Sequence, residues 1–185
     1  GVRALRLEKC KGFGAAVNYA LKNPFRSDIP FVAILHSDVR IQDQNWLFNL
    51  GQSLNEMKSD GIKMVSALTD NPTVDNNLLK SKRGEIKKDA VLQEGFLPMY
   101  CVLANRELFN RIGLFVECPY AGVETEEFAI RMLKNGYKQG ICGKSWVQHE
   151  GGMTLAQYEK DKKVQEILRN TRKQFDEVYG NQVQK

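Results

Sequence analysis

The spacing of apolar positions along this chain changes from segment to segment, and those changes mark out its elements. Phe31-Val32-Ala33-Ile34-Leu35 is a continuous apolar run, entered through Pro30 and stopped by His36-Ser37-Asp38. Such a run reads as a fully buried central strand that brings polar groups to the carboxyl edge of an α/β sheet. Trp46, Leu47, Leu50, Leu54 and Met57 then recur at helical spacing, which predicts an amphipathic helix broken at Asp60-Gly61. Ile62 to Leu68 and Phe96 to Leu103 read as further strands, and Arg106 to Ile112 as a short helix stopped by Gly113. Upstream, Val2 to Leu7 alternates in strand fashion, and Ala15 to Leu21 predicts a helix ended by Asn23-Pro24. Downstream, a helix over Glu124 to Leu133 stops at Asn135-Gly136, and short strands follow over Tyr137 to Cys142 and Ser145 to Val147.

Two stretches break this rhythm. Asp70 to Glu94 is polar, rich in lysine and without a sustained period. A loop of that length is either functional, such as a flap over a ligand, or a plain surface excursion. From Thr154 onward Leu155, Tyr158, Val164, Ile167, Leu168, Phe175, Val178 and Tyr179 fall on one side of a highly charged segment. That pattern predicts a long amphipathic helix over 154–185, docked on the domain formed by 1–153 or on a partner. Strands alternate with helices in the first half, which indicates α/β class with a mainly parallel sheet.

Length and charge narrow the picture a little further. A chain of 185 residues suits one domain with a substantial core. No apolar stretch approaches the length of a membrane span, and the N-terminus has no apolar signal-peptide core. The net charge of +5 favours anionic partners such as phosphates, nucleotides or an acidic membrane surface. Nucleic acid is the weaker candidate, because no arginine stripe is interleaved with exposed aromatics. Cys10, Cys101, Cys118 and Cys142 are scattered with no Cys-x-x-Cys spacing, which argues against a zinc knuckle and for a reducing, cytoplasmic setting.

Three polar clusters remain, each at the end of a strand or the start of a helix: His36-Ser37-Asp38, Glu124-Thr125-Glu126-Glu127 and His149-Glu150-Gly151-Gly152. A carboxylate, a separate acidic group and an imidazole are what metal-assisted transfer requires, with one acid off the metal to take a proton from an attacking hydroxyl. Each cluster also has an ordinary structural role open to it. Acids at a helix N-terminus oppose the macrodipole, Asp38 could cap the next helix, and a lone histidine is more often structural than a ligand. Their joint occurrence in this order is what favours chemistry.

Several stretches together resemble glycosyltransferase family 2, with the GT-A fold. They are Gly12-Phe13-Gly14-Ala15-Ala16-Val17-Asn18, Leu35-His36-Ser37-Asp38-Val39, the segments 105–115 and 124–131, Asn135-Gly136-Tyr137, and Val147-Gln148-His149-Glu150-Gly151-Gly152. The resemblance implies a Rossmann-like, mainly parallel mixed sheet flanked by helices, in a domain over 1–153 that lacks the N-terminal part of the donor-nucleotide site. It implies a metal-dependent, inverting transfer of a sugar from a UDP-, dTDP- or GDP-sugar to a glycan or lipid-linked acceptor hydroxyl, with contact at a membrane face left open. Matched by position, Asp38 corresponds to the metal-binding acid, with His36 and Ser37 before it and His149 as a second metal contact for Mn²⁺ or Mg²⁺. Asn18, and Lys11 in the turn before it, correspond to a region lining the donor nucleotide.

Two departures stand out. The family's acidic helix motif carries an aspartate where this chain has Thr125, whose hydroxyl cannot act as a general base near neutral pH. The base would then be Glu124 first and Glu126 second, with Glu127 set to pair with Arg131 one turn on. The family's opening strand and the unit after it have no counterpart here. A catalytically silent GT-A-like binding module is therefore the competing reading. A sugar-nucleotide pyrophosphorylase is a more distant one, for want of a glycine-rich basic loop.

Overall fold

A computed structural model describes residues 4, 6–8, 12–23, 28–71, 78–93, 95–118, 123–151 and 161–183. The elements in order are α1 (Phe13–Lys22), β1 (Phe31–Leu35), β2 (Val39–Ile41), α2 (Trp46–Glu56), a 3₁₀ turn (Met57–Asp60), β3 (Ile62–Thr69), β4 (Ala90–Val91), β5 (Cys101–Asn105), α3 (Arg106–Ile112), α4 (Glu124–Lys134), β6 (Lys138–His149) and α5 (Lys162–Val183). Lys11, Gly152 and the predicted helix start at Thr154 lie outside the described residues, as does most of Val2 to Leu7, of which Ala4, Arg6 and Leu7 join no strand.

Five strands are ordered β1-β5-β3-β6-β2, and β4 pairs with β6 off this path. The sheet is mixed, which corrects the expectation of a mainly parallel one: β3 with β6 is the single parallel pairing among the described strands. The physical reason lies in one inserted strand. β1, α2 and β3 do form a crossover between strands of like direction, as the alternation implied. It skips a place, however, and β5 fills that place antiparallel to both neighbours. A crossover pattern in sequence reports the direction of two strands, not whether they touch.

β1 is also not the fully buried central strand its composition suggested. Among the described residues it pairs only with β5, and Phe31 and Leu35 are each 40% exposed. An unbroken apolar run is compatible with an edge position, since periodicity alone does not report neighbours. The central strand is β3, where all residues but Lys63 are buried, so both of its faces are covered. Leu50 and Leu54 of α2 close over it together with Met57, and Phe109, Phe115, Phe128 and Met132 join the same core. Phe128 stacks on Phe115 at 4.3 Å between centroids.

Local chemistry sets the element ends. Gly12 (φ 93°) turns the chain into α1, and Gly113 (φ 85°) stops α3 at its predicted end. Pro98 has no N–H for a ladder, and β5 starts beyond it at Cys101 rather than at Phe96. The two short strands expected near the C-terminal half form one, β6, with an irregularity between Cys142 and Trp146 where the gap at Gly143-Lys144 was read. The described part of the Asp70 to Glu94 stretch is tied down. Lys80 bridges to Thr69, β4 pairs with β6, and the Trp146 indole donates to the Ser81 carbonyl at 3.0 Å. α5 rests on the domain through Phe175, which packs with Cys118, Val123 and Ile130, and through an Arg172 ion pair to Glu126.

Candidate metal centre

The three-residue strand β2, which the sequence pattern did not announce, builds this site. It pairs antiparallel with the end of β6, placing Val39 opposite His149. Asp38 immediately precedes β2, and its carbonyl accepts from the Glu150 N–H at 3.3 Å. The turn after β1 is thereby fastened to the last residues of β6. Across the strand pair Arg40 forms an ion pair with Glu150. His36, two residues before Asp38, has its backbone N–H bonded to the Tyr100 carbonyl at 2.9 Å.

The outcome is a convergence of His36, Asp38 and His149, each offering a ligand atom within 4.8 Å of the others, a group that could hold a metal ion. Asp38 Oδ1 and His149 Nε2 are 3.3 Å apart. Two donors on one cation at about 2.1 Å, at right or tetrahedral angles, stand about 3.0–3.4 Å apart, so this pair already has the required spacing. The side chains are 19% and 10% exposed for Asp38 and His149, open enough for a ligand and shielded enough to be held.

Aromatic rings fix the imidazoles. His149 stacks on Tyr100 at 5.0 Å and meets His36 edge-on at 5.5 Å, and His36 meets Phe13 of α1 edge-on at 5.6 Å. Tyr100 is fully buried and donates its hydroxyl to the Ala67 carbonyl, and burial raises its pKa. The other ring nitrogen of His149, Nδ1, lies 3.0 Å from the amide nitrogen of buried Asn71. An amide can serve that nitrogen as donor or, turned over, as acceptor, so Asn71 suits either tautomer.

Burial lowers the pKa of both histidines from 6.5. For His36 the neighbouring His149 adds to this and Asp38 opposes it; for His149 Asp38 and Asp70 oppose it. Both rings are therefore neutral at pH 7, the form that offers a lone pair to a metal.

The remaining candidates fall elsewhere. Ser37 is exposed in the turn between β1 and β2. Asn18 is 2% exposed, and its amide is committed to the 115–117 segment: it donates to Phe115 O at 2.8 Å and Glu117 Oε1 at 3.1 Å, and accepts from Phe115 N at 3.0 Å. Among the acids of α4, Glu127 takes two bonds of 2.7 Å from Arg131, the pairing expected from the i, i+4 spacing. Arg131 also donates to the Ile112 and Leu114 carbonyls, clamping α4 to the turn after α3. Glu126 receives Arg172 of α5 at 2.7 and 2.9 Å. Glu124, 2% exposed, lies under the first turn of α1, where a Cβ on Gly14 would come within 3.3 Å of its Cγ. Neighbouring residues of that turn thus touch both clusters, Phe13 at His36 and Gly14 at Glu124.

Sequence reasoning placed His36 in the motif that leads to Asp38 without counting it among the metal contacts, and missed Asn71 and Tyr100. The His-x-Asp spacing at a strand end was the usable signal, because both residues lie in the short turn from β1 to β2. Asn71 and Tyr100 carried none, being set by the fold. Comparison with protein-family models finds no match, and comparison with curated proteins finds none either. No described helix is long and apolar enough to cross a membrane.

Proposed function

We propose that this chain is a metal-dependent inverting glycosyltransferase, with the His36–Asp38–His149 group holding the divalent cation that meets a nucleotide-sugar diphosphate. The convergence of these three side chains at the end of β1 and β6 carries the proposal. A cation there would offset the charge that grows on the departing diphosphate. The chain's own residues do the rest. Asp38 and the neutral imidazoles supply the ligands, while Tyr100 and Asn71 hold His149 in orientation. Glu124, which opens the acidic first turn of α4, is the candidate to take the proton of the acceptor hydroxyl, with Glu126 the second. An open hollow lined by Asp70, Lys80, Ser81, Lys82 and Glu85 begins one residue from Asn71 and offers polar groups to a sugar-bearing acceptor. A UDP-, dTDP- or GDP-sugar is the donor class, and a glycan or lipid-linked sugar the acceptor class.

One observation favours a second reading, a GT-A-like module that binds without turning over. The leading base is buried under α1 and the next is held by Arg172.

The test is release of nucleoside diphosphate from a panel of UDP-, dTDP- and GDP-sugars, with water or added glycans as acceptor. Metal-dependent release that falls by ~10²-fold or more in Glu124→Gln, with donor still bound, is the expected result. Donor binding lost in Asp38→Asn but no release from any donor by the native chain would establish the binding module instead. Neither binding nor release with any of the panel would overturn both.

A further inference from the structure

We infer that the His36–Asp38–His149 centre takes a first-row transition cation in preference to Mg²⁺, and that His36 is the ligand that decides this. The inference rests on reading this trio as a metal centre, and it adds the class of cation. Asp38 and His149 alone would offer one oxygen and one nitrogen; His36 brings the donor set to two nitrogens and one oxygen. Mg²⁺ favours oxygen in near-octahedral array, gives up its water reluctantly, and is usually held by one or two carboxylates with phosphate oxygens. Imidazole instead favours the transition series, with affinity rising from Mn²⁺ through Fe²⁺ to Co²⁺. Were residue 36 an acid, the set would hold two oxygens and the preference would move back toward hard cations.

His36 is fixed where a ligand would have to be. Its ring meets Phe13 at 5.6 Å and His149 at 5.5 Å, and its backbone N–H is bonded to Tyr100. The three ligand atoms lie within 4.8 Å of one another, with Asp38 and His149 already at the spacing of neighbouring donors. Three protein ligands leave positions open for water or for the oxygens of a diphosphate.

The test uses the 185-residue chain and metal alone, with no sugar nucleotide present. Calorimetric titration with Mg²⁺, Mn²⁺ and Co²⁺ is expected to give one saturable site. Co²⁺ should bind more tightly than Mn²⁺, and Mn²⁺ roughly tenfold or more above Mg²⁺. His36→Phe keeps the ring against Phe13 and removes the nitrogen, and Co²⁺ affinity should fall by roughly tenfold or more. His36→Asp supplies a second oxygen, and should restore binding with the gap between Mn²⁺ and Mg²⁺ narrowed. Equal affinity for Mg²⁺ and Mn²⁺, or Co²⁺ affinity unchanged in both variants, would overturn the inference. So would the lack of a saturable Co²⁺ site, which would make the trio a hydrogen-bonded structural cluster. These results do not depend on sugar transfer. A chain that selects Co²⁺ through His36 yet neither binds nor cleaves a sugar nucleotide loses the functional reading and keeps this one. A transferase equally served by Mg²⁺ and indifferent to residue 36 does the reverse.

Discussion

Gly151 lies against Asn71, whose amide faces His149, and replacing it with alanine tests how His149 is held. Its φ is 66°, and a Cβ there would overlap the amide nitrogen of Asn71, with Asn71 Cγ at 3.1 Å and Oδ1 at 3.4 Å. Two costs therefore combine in Gly151→Ala. An L residue in the left-handed region costs about 1–2 kcal/mol. Pushing the Asn71 amide aside also breaks its 3.0 Å contact with His149 Nδ1, worth about 0.5–1.5 kcal/mol. The sum is about 1.5–3.5 kcal/mol, or a fall in Tm of about 3–14 °C for a chain of this size.

The two costs can be separated, because only the second needs Asn71. In an Asn71→Ala background the side chain to be displaced is gone, and Gly151→Ala should cost only its backbone strain. A double-mutant cycle from urea unfolding should thus show a coupling of about 1 kcal/mol between positions 71 and 151. Asn71→Ala should also weaken Co²⁺ binding by about 10–100-fold, as loss of an outer hydrogen bond to a ligating histidine commonly does. If Gly151→Ala costs the same in both backgrounds, to within about 0.3 kcal/mol, the argued overlap with Asn71 is wrong.

Acid should destabilise the metal-free fold in a defined window. The chain has two histidines, and both have pKa values lowered from 6.5, so below that pH the unfolded chain binds protons that the folded chain refuses. Stability should be level above about pH 7 and fall as the pH drops through 6.5 toward the lowered folded values. His36→Phe should flatten the fall, and a native profile level between pH 7.5 and 5 in urea unfolding would refute the argument. On α4, Arg131→Ala strips a nearly buried Glu127 of its partner and frees two carbonyls, for an expected loss of about 3–5 kcal/mol. Arg111→Ala removes a pair of the same i, i+4 spacing that is fully exposed, and should leave the unfolding midpoint where it was. Equal losses in the two variants would show that spacing, not burial, sets the value of these pairs.

Burial and pairing also explain which parts of the structure the sequence disclosed. Elements with strong local signals came out at or near their ends: α3 between Asn105 and Gly113, α2 up to the Asp60-Gly61 break, and α4 before Asn135-Gly136. Each is bounded by residues whose backbone preferences act within a few positions. β2 was missed because three residues, Val39-Arg40-Ile41, are too few to show a period, and their strand state comes from pairing with β6. β1 was placed at the centre because its apolar run describes side chains, while its position is decided by β5, seventy residues away.

The candidate site follows the same division. Asp38 and His149 were legible because each stands where an apolar strand ends, the edge at which α/β folds collect their ligands. What the pattern could not supply was their distance, since no local rule relates a turn at residue 38 to a strand end at residue 149. β2 supplies it, and the same pairing brings His36 in as a third donor. The acidic helix shows the opposite case. Glu124, Glu126 and Glu127 look alike in sequence, all in the first turn of α4. Tertiary structure gives them different situations: one lies under α1, one is held by α5 and one is locked to its own helix. Helical spacing foretold only the last, because Arg131 is the only one of these partners that is local. For Glu124, lodged under α1, the turnover of Glu124→Gln is the measurement on which its proposed role as base depends.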